Sequence, residues 1–469
     1  MRIKIRFHVI HPLETEPISS IHGWARLVFF MMLGSFFGRA FYYLGIPPAD
    51  IFIGDIVLFL FFLLRPRALC DRWMTGLTTS SVFGPFAWSL LLSILFGMFE
   101  VIHGLSSGYP PLTALQNLVF NIYPLYFFLG LWVGTEHPTL YRKVIRCYAW
   151  MLAIYGPAYL LFLDHIKLTM PGSDVLVFNQ ASGGGLIILA LLAFERKPLR
   201  YWLPMMIGAF MTLAIQEREE WISTAVAFSV WGLLERKTAK VLSVGALVLI
   251  LLFVGFIADV DLPGPVARGG RISSSEIAAR GLSAISPDLA REYTDSKNIG
   301  MYAGTISWRT RWWSAIWSSV HESWPKAFIG NGYGFPLKDL VPYLKDMDIR
   351  TPHSIFFFAL GYSGWIGVFL FVSLQASILG LLWHVYRLTG QSYGLAIWIS
   401  TLTASLFGNS FESPMGSIPN YIAIGLIIGP VLCGKITVLA PHSSHRSTVE
   451  PSLAAQRANW SFSSGISIS

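Results

Sequence analysis

The sequence predicts an all-α polytopic membrane protein with about twelve transmembrane helices. Of its 469 residues, 54% are hydrophobic and only 13% are charged, whereas soluble domains carry about 25% charged residues. The apolar residues form runs of roughly 17 to 25, the length that a helix needs to cross the bilayer while pairing its own backbone amides. Lys and Arg residues gather at every second connection between these runs. This composition excludes a soluble globular enzyme.

Twelve apolar segments are predicted to span the membrane, of which the second and eighth are short and the tenth is long enough to tilt. The predicted spans are 24–46, 50–64, 80–101, 113–135, 144–163, 176–194, 200–216, 220–234, 241–258, 354–383, 391–411 and 418–434. They divide the chain into helices one to nine over 1–258, a loop domain over 259–352, and helices ten to twelve over 353–436. The remaining segment, 437–469, is rich in Ser and is predicted to be a disordered cytoplasmic tail.

The positive charges predict the orientation of the helices. Cytoplasmic connections of membrane proteins carry an excess of Lys and Arg, so both termini and the basic connections are predicted to face the cytoplasm. The opposite connections before the loop domain hold only Lys167 and Arg218, with Arg39 near the end of helix one. The net charge of +8 therefore reflects topology, and no nucleic-acid partner is predicted. The basic connections contain Arg2, Lys4, Arg6, Arg26, Arg65, Arg67, Arg72, Arg142, Lys143, Arg146, Arg196, Lys197, Arg200, Arg236, Lys237, Lys240, Arg387, Lys435, Arg446 and Arg457.

The loop domain from Asp259 to Pro352 is the longest connection and is predicted to lie on the outer side. It holds 11 Lys or Arg and 10 Asp or Glu residues, and connections of this length are usually functional or disordered. Its first part, 269–304, is rich in Ser, Gly and charge and is predicted to be partly mobile. Its second part, 307–334, is rich in Trp and is predicted to include a helix on the membrane surface, where indole rings favour the head-group zone.

Three arginines in or near the loop domain are candidates for binding an anion. Arg218 lies in a short outer connection between Glu217 and Glu219; it is either a solvated, neutralised turn residue or a cation held for an anionic head group. Arg309 and Arg311 lie among the Trp residues, where they either reach lipid phosphates or bind a diphosphate, because guanidinium groups bind phosphate oxygens bidentately.

His353 is the candidate for proton transfer. It follows Thr351 and Pro352, which suit the N-cap and first-turn positions of the tenth span. In the first turn, the positive end of the helix dipole would favour a neutral imidazole that can accept a proton. The alternative is a structural histidine at the membrane interface.

Taken together, these stretches resemble the O-antigen ligase and O-antigen polymerase family of bacterial envelope membrane proteins, over about residues 170 to 375. That family has an Arg at the outer end of a central helix, then a periplasmic loop with a Ser-x-Arg-x-x-x-Trp stretch, a Gly-x-Gly-x turn, and a His before the next helix. The sequence departs from the family pattern beside Arg218, where Glu residues replace Ser and Gly, and after His353, where Ser replaces Asn. The matching stretches are Arg218, 307–313, 330–334, 352–354 and 360–367.

The resemblance implies a GT-C-like fold and a metal-independent, inverting glycosyltransferase of the bacterial inner membrane, with its active site on the periplasmic side. It implies a donor glycan on undecaprenyl diphosphate, no cofactor, and membrane lipids as further partners. His353 is then the expected general base, and Arg218 and Arg309 are expected to bind the diphosphate, with Arg311 as the alternative to Arg309.

The acceptor separates two functions within this family. A lipid A core acceptor would make the protein an O-antigen ligase, which is the preferred function, and a second lipid-linked glycan would make it an O-antigen or exopolysaccharide polymerase. Outside the family, a twelve-helix secondary transporter is an alternative, although the two halves of the chain show no similarity of the kind that transporters have. A non-catalytic scaffold would tolerate replacement of His353 and the arginines.

Overall fold

The computed structural model describes residues 18–43, 52–78, 82–171, 173–180, 182–195, 197–258, 261–265, 270–294, 296–345 and 351–432. In these ranges the chain is mainly helical. The predicted tail, 437–469, and the N-terminal residues Arg2, Lys4 and Arg6 lie outside them. The helices are α1 (Ile18–Gly34), α2 (Arg39–Tyr42), α3 (Ile53–Leu64), α4 (Pro66–Thr78), α5 (Gly84–Ser106), α6 (Pro111–Ile122), α7 (Tyr126–Glu136), α8 (Leu140–Leu161), α9 (Gly184–Phe194), α10 (Trp202–Ala214), α11 (Arg218–Leu234), α12 (Thr238–Ile257), α13 (Ser274–Leu282), α14 (Pro287–Tyr293), α15 (Ile299–Val320), α16 (Trp324–Ile329), α17 (Ile355–Thr389), α18 (Tyr393–Ser405) and α19 (Pro414–Leu432).

Several helices have the length and composition of membrane spans, which confirms a helical polytopic membrane protein. Among the described residues, six helical stretches are long and apolar enough to cross a bilayer, and α3 and α9 are shorter apolar helices. The count of twelve spans stays a prediction. The six stretches are Gly84–Ser106, Pro111–Glu136, Leu140–Leu161, Thr238–Gly255, Ile355–Thr389 and Pro414–Leu432.

A pair of glycine-spaced helices forms the centre of the bundle. A methyl group added at Gly130 of α7 would lie 2.2 Å from the Ile422 carbonyl oxygen of α19, and one at Gly425 of α19 would lie 2.3 Å from the Phe127 carbonyl oxygen of α7. The spacing repeats one turn later at Gly134 and Gly429. Small residues four apart let two membrane helices approach backbone to backbone. This contact fixes α19 and the connection that precedes it.

The helix boundaries differ from the predicted spans where glycine or polar residues interrupt an apolar run. The first predicted span ends early, because Gly38 has φ +59° and separates α1 from α2. The sixth begins late, at Gly184, after Gly183 with φ +88°. The connection that contains Arg67 and Arg72 is itself the helix α4. Charge alone therefore did not distinguish a basic helix from a basic loop.

The loop domain contains regular structure in both of its halves. Strands β1 (Asp261–Pro263) and β2 (Arg271–Ser273) pair antiparallel, and α13 and α14 follow. Ser273 and Ser286 cap these two helices by accepting hydrogen bonds from the Glu276 and Leu289 amides. Secondary structure therefore covers much of the segment predicted to be partly mobile.

The Trp-rich stretch forms the second half of α15. The prediction that its Trp residues lie on the membrane surface is wrong for Trp312. The Trp312 ring is fully buried in the main hydrophobic core, and its indole N–H donates to the Leu337 carbonyl at 2.8 Å. The Trp313 indole donates to the Pro352 carbonyl at 2.8 Å, and its ring stacks on Phe357 at 5.1 Å. These rings join α15 to the start of α17, so they position the residues around His353.

Candidate functional site

The turn that carries His353 has an unusual backbone. His353 has φ +52°, which lies in the left-handed region, and α17 begins only at Ile355 with Ser354 as its N-cap residue. The prediction that Thr351 caps the helix and that His353 lies in its first turn is therefore wrong. A non-glycine residue in this conformation costs free energy on the order of 1 kcal/mol or more, and such strain clusters at functional sites. Gln216, two residues before Arg218, has φ +56°.

The Trp308 ring contacts both His353 and Arg309. Its plane meets the His353 ring edge to face, with 5.7 Å between ring centroids. The Arg309 guanidinium carbon lies 5.5 Å from the same ring centroid, a cation–π distance. Arg309 also donates from Nη1 to the Phe407 carbonyl at 2.6 Å. One indole ring and one carbonyl thus hold the histidine and the cation next to each other.

The surroundings of His353 keep its imidazole neutral. Burial lowers the pKa of His353 most, the positive charge of Arg309 lowers it further, and the Glu219 carboxylate opposes both, so the pKa is about 4. The predicted neutral ring therefore follows from burial and from Arg309. At neutral pH the ring can accept a proton, although its basicity is low while Arg309 keeps its full charge.

Glu412 is a residue of this site that sequence reasoning missed. Both of its carboxyl oxygens are buried, and burial raises its pKa to about 8. The Thr351 hydroxyl, the Ser354 and His353 amides and the Arg309 charge act on the same carboxyl in the opposite direction. The signal that could have found it is isolation, because Glu412 is the only Asp, Glu, Lys or Arg between Arg387 and Lys435.

Arg218, the first residue of α11, contacts α15 at a different position from Arg309. Its Nη2 donates to the Ser283 hydroxyl at 2.8 Å and to the Tyr302 carbonyl at 3.3 Å. Tyr302 and Arg309 are seven residues apart on α15, which is two turns or about 10 Å along the axis on one face. Arg218 and Arg309 therefore lie along the same side of α15, and Arg218 is bound to the loop domain.

The carboxylates around Arg218 point in two different directions. Glu217 accepts a hydrogen bond from the Gln180 amide, and Glu220 accepts from the Gly183 backbone N–H at 2.9 Å, at the N-terminus of α9. Glu219 instead acts electrostatically on His353. Two of the three acidic neighbours are thus directed toward the segment before α9, and the third is directed toward the candidate site.

Arg311 lies away from this group. It is exposed, whereas Arg309 is partly buried, because residues two apart on a helix point in different directions. The structure thus places Arg309 beside His353, and Arg311 faces solvent.

A glycine-rich turn packs against the first part of α17. Gly330, Gly332 and Gly334 all have positive φ, and the Asn331 and Gly332 amides donate to the Gly361 and Tyr362 carbonyls at 3.1 and 3.0 Å. A methyl group at Gly330 would lie 2.4 Å from the Tyr362 backbone. The glycine-containing stretches 330–334 and 360–367 therefore pack against each other, and this contact fixes the position of the helix that follows His353.

These features define a class, a helical membrane protein in which the loop domain and the helices beside it carry arginines, a neutral histidine and a buried carboxyl group. Residues 181–372 match the family model described as O-antigen ligase. The match confirms the resemblance to the O-antigen ligase and polymerase family, and it covers Arg218, Arg309 and His353. No match to a curated protein was found. Within the described residues, no group of three or more His, Cys, Asp or Glu side chains could hold a metal ion.

Proposed function

We propose that the protein transfers a glycan from undecaprenyl diphosphate to an acceptor hydroxyl at the periplasmic face of the bacterial inner membrane, as an O-antigen ligase with the lipid A core as acceptor. The family match supports a membrane glycosyltransferase of the ligase or polymerase type. The observation that carries the proposal is that a neutral histidine and a fixed guanidinium both contact the Trp308 ring, and that the charge of this guanidinium acts on the histidine. A base and an anion-stabilising cation side by side are what transfer from a diphosphate requires.

The proposed reaction is a single displacement at the anomeric carbon. The acceptor oxygen attacks this carbon as its proton moves to the free imidazole nitrogen of His353. The bond from the anomeric carbon to the diphosphate oxygen breaks, and undecaprenyl diphosphate leaves with the electron pair. Attack from the face opposite the leaving group inverts the configuration. The donor already carries its leaving group, so the step needs no metal or nucleotide sugar.

The charge of Arg309 links donor binding to the basicity of His353. In the free protein, Arg309 is the second cause of the low His353 pKa. A bound diphosphate would neutralise that guanidinium and add negative charge of its own, and both effects raise the pKa of a nearby histidine. His353 therefore becomes a stronger base when the donor is in place.

Arg218, which lies on α11 and contacts α15 at Tyr302, would bind the diphosphate as a second cation. In the free protein its guanidinium is bound to the loop domain through Ser283 and the Tyr302 carbonyl. Donor binding would exchange part of these bonds to neutral oxygens for bonds to phosphate oxygens, in which both partners are charged. The loop domain would then respond to donor binding, as lids that enclose substrates do.

The test is transfer by purified protein in a lipid bilayer, supplied with the host's lipid-linked glycan and a lipid A core acceptor. The proposal expects release of undecaprenyl diphosphate together with the glycan on lipid A core. Release with the glycan on a second lipid-linked glycan would make the protein a polymerase, which the same site supports. Folded protein that releases no undecaprenyl diphosphate from intact donor would refute the proposal and favour transport or a scaffold.

A further inference from the structure

The exposed residues of α17 after its break at Gly364 form one apolar face. Gly364 has φ +60° and divides α17 into two helical segments, the second of which begins at Trp365. Its exposed positions recur every three to four residues, which is the period of a helix face. They are Trp365, Phe369, Val372, Ala376, Gly380 and Trp383, and Arg387 and Leu388 are exposed after them in the last turns of the helix.

The two Trp residues of this face are spaced like the two head-group layers of a bilayer. Trp365 and Trp383 are 39% and 45% exposed, and their separation of 18 positions corresponds to about 27 Å along a helix axis. The hydrocarbon core is about 30 Å thick, and Trp residues are enriched at both of its boundaries. Phe369 and Val372, between them, are 68% and 55% exposed, as expected for side chains in lipid. Trp365 therefore marks the boundary on the side of the loop domain.

The loop domain adds three more exposed aromatic rings, of which Trp317 contacts Trp365 and the other two lie on α16, which packs against Gly364. Trp317 meets the Trp365 ring edge to face at 6.0 Å. The Phe328 carbonyl packs against Gly364, 2.4 Å from where a side-chain carbon would lie, and Trp324 stacks on Phe328 at 6.0 Å. Trp317, Trp324 and Phe328 are 44%, 78% and 51% exposed. With Trp365 they form an aromatic patch that continues the lipid-facing side of α17.

His321 joins α15 and α17, two of the three helices that carry the patch. Its ring stacks on Trp317 at 4.3 Å, its Nδ1 donates to the Trp317 carbonyl at 2.8 Å, and its Nε2 accepts from the Trp365 indole at 3.4 Å. The Trp365 N–H is thus satisfied within the protein, which leaves the ring faces as the exposed surface. Lys326 and Glu322 form an ion pair at 2.6 Å nearby. Aromatic rings flanked by charge are typical of the head-group zone.

We propose that the aromatic patch inserts into the lipid head-group layer on the loop-domain side of the membrane and anchors the loop domain there. Four partly exposed aromatic rings together form a surface that water would solvate poorly, and the depth set by Trp365 assigns lipid as its occupant. The membrane contact of this segment therefore lies at Trp317, Trp324 and Phe328, after the buried Trp312. Arg309 is eight residues before Trp317, about 12 Å along α15, so the anchor lies within a few helical turns of the candidate site. The proposal does not depend on glycosyl transfer.

The test is spin-label accessibility in lipid nanodiscs, with Cys70, Cys147 and Cys433 replaced by Ser. A label at Trp324→Cys is compared with a matched one at Ile285→Cys, an apolar position of the loop domain that is 79% exposed. The expected ratio of collisions with oxygen to collisions with a water-soluble nickel chelate is severalfold higher at 324 than at 285. A label at Phe369→Cys is expected to report a greater depth than either.

Equal access of the nickel chelate to positions 324 and 285 would overturn the proposal and leave the patch to a glycan or a protein partner. If the Trp324 variant does not fold, Phe328→Cys reports on the same patch, with the same two outcomes.

Discussion

Replacing Arg309 by Ala is expected to slow glycosyl transfer strongly, whereas replacing Arg311 by Ala leaves it nearly unchanged. The two residues have the same side chain and lie two positions apart on the same helix, α15. Arg309 lies beside His353 and is fixed by the Phe407 carbonyl and the Trp308 ring, and Arg311 is exposed. The comparison therefore separates a positioned cation from general positive charge on α15.

The expected magnitude follows from what Arg309 contributes to the transition state. A preorganised donor aimed at developing negative charge is worth about 10²- to 10³-fold in kcat, or about 2.7–4 kcal/mol. Arg309 has this preorganisation because two protein groups hold its guanidinium before any substrate arrives. Arg309→Lys keeps the charge but not the planar guanidinium fork, so the loss of kcat in Arg309→Lys is expected to be smaller than in Arg309→Ala.

Arg309→Ala is also expected to shift the pH dependence of glycosyl transfer in a defined direction. Arg309 lowers the pKa of His353, so its removal raises that pKa above its value of about 4, and burial remains as the main cause of lowering. His353 acts as a base only when it is neutral, so activity is lost as pH falls through its pKa. The acid limb of kcat/KM is therefore expected at higher pH in Arg309→Ala and at an unchanged position in Arg311→Ala.

The assay measures initial rates of undecaprenyl diphosphate release against pH, for protein in nanodiscs whose folding is checked by thermal unfolding. Equal rates in the two Ala variants would refute the reasoning. A large loss of rate in Arg309→Ala without movement of the acid limb would refute the coupling between Arg309 and His353, and would leave the charge-stabilising role of Arg309 intact.

Three further predictions test other parts of the site. His353→Ala is expected to lose about 10²- to 10⁴-fold in kcat, the usual worth of a general base, while donor binding measured by equilibrium titration is retained. Glu412 becomes anionic above its pKa of about 8 and would then neutralise Arg309, so wild-type activity is expected to fall above that pH, and Glu412→Gln is expected to remove this alkaline limb. Gly330→Ala is expected to lower the free energy of unfolding by more than about 1 kcal/mol, because Gly330 has a positive φ and lies against the Tyr362 backbone. Gly304→Ala, at a helical position with open space around it, is expected to raise the free energy of unfolding by up to about 1 kcal/mol. Thermal unfolding in one detergent compares the two variants.

The apolar runs predicted much of the helical bundle because a membrane span must pair its own backbone groups. They could not predict where a run breaks. Gly38 and Gly183 have backbone angles that end helices within apolar sequence, and glycine is also common inside membrane helices. Composition therefore predicts that a helix is present better than it predicts where the helix ends.

For the candidate site, motif order identified Arg218, Arg309 and His353, but the geometry depended on tertiary contacts. His353 was expected in a helical turn, and Ser354 took the N-cap position instead. Periodicity could not reveal that Trp312 is buried under Leu337, because an interfacial helix and a packed helix share the same spacing. Glu412 reaches the site from a connection far along the chain, and no local pattern marks that approach.

The central claim is that His353 removes the proton from the acceptor as undecaprenyl diphosphate leaves. The most direct measurement is the release of undecaprenyl diphosphate and the formation of the new glycoside in one reaction, by wild type, His353→Ala and Arg311→Ala. We expect one glycoside formed per diphosphate released in wild type and Arg311→Ala, and a loss of at least about 100-fold in both products for His353→Ala. Undiminished transfer by a folded His353→Ala protein would contradict it.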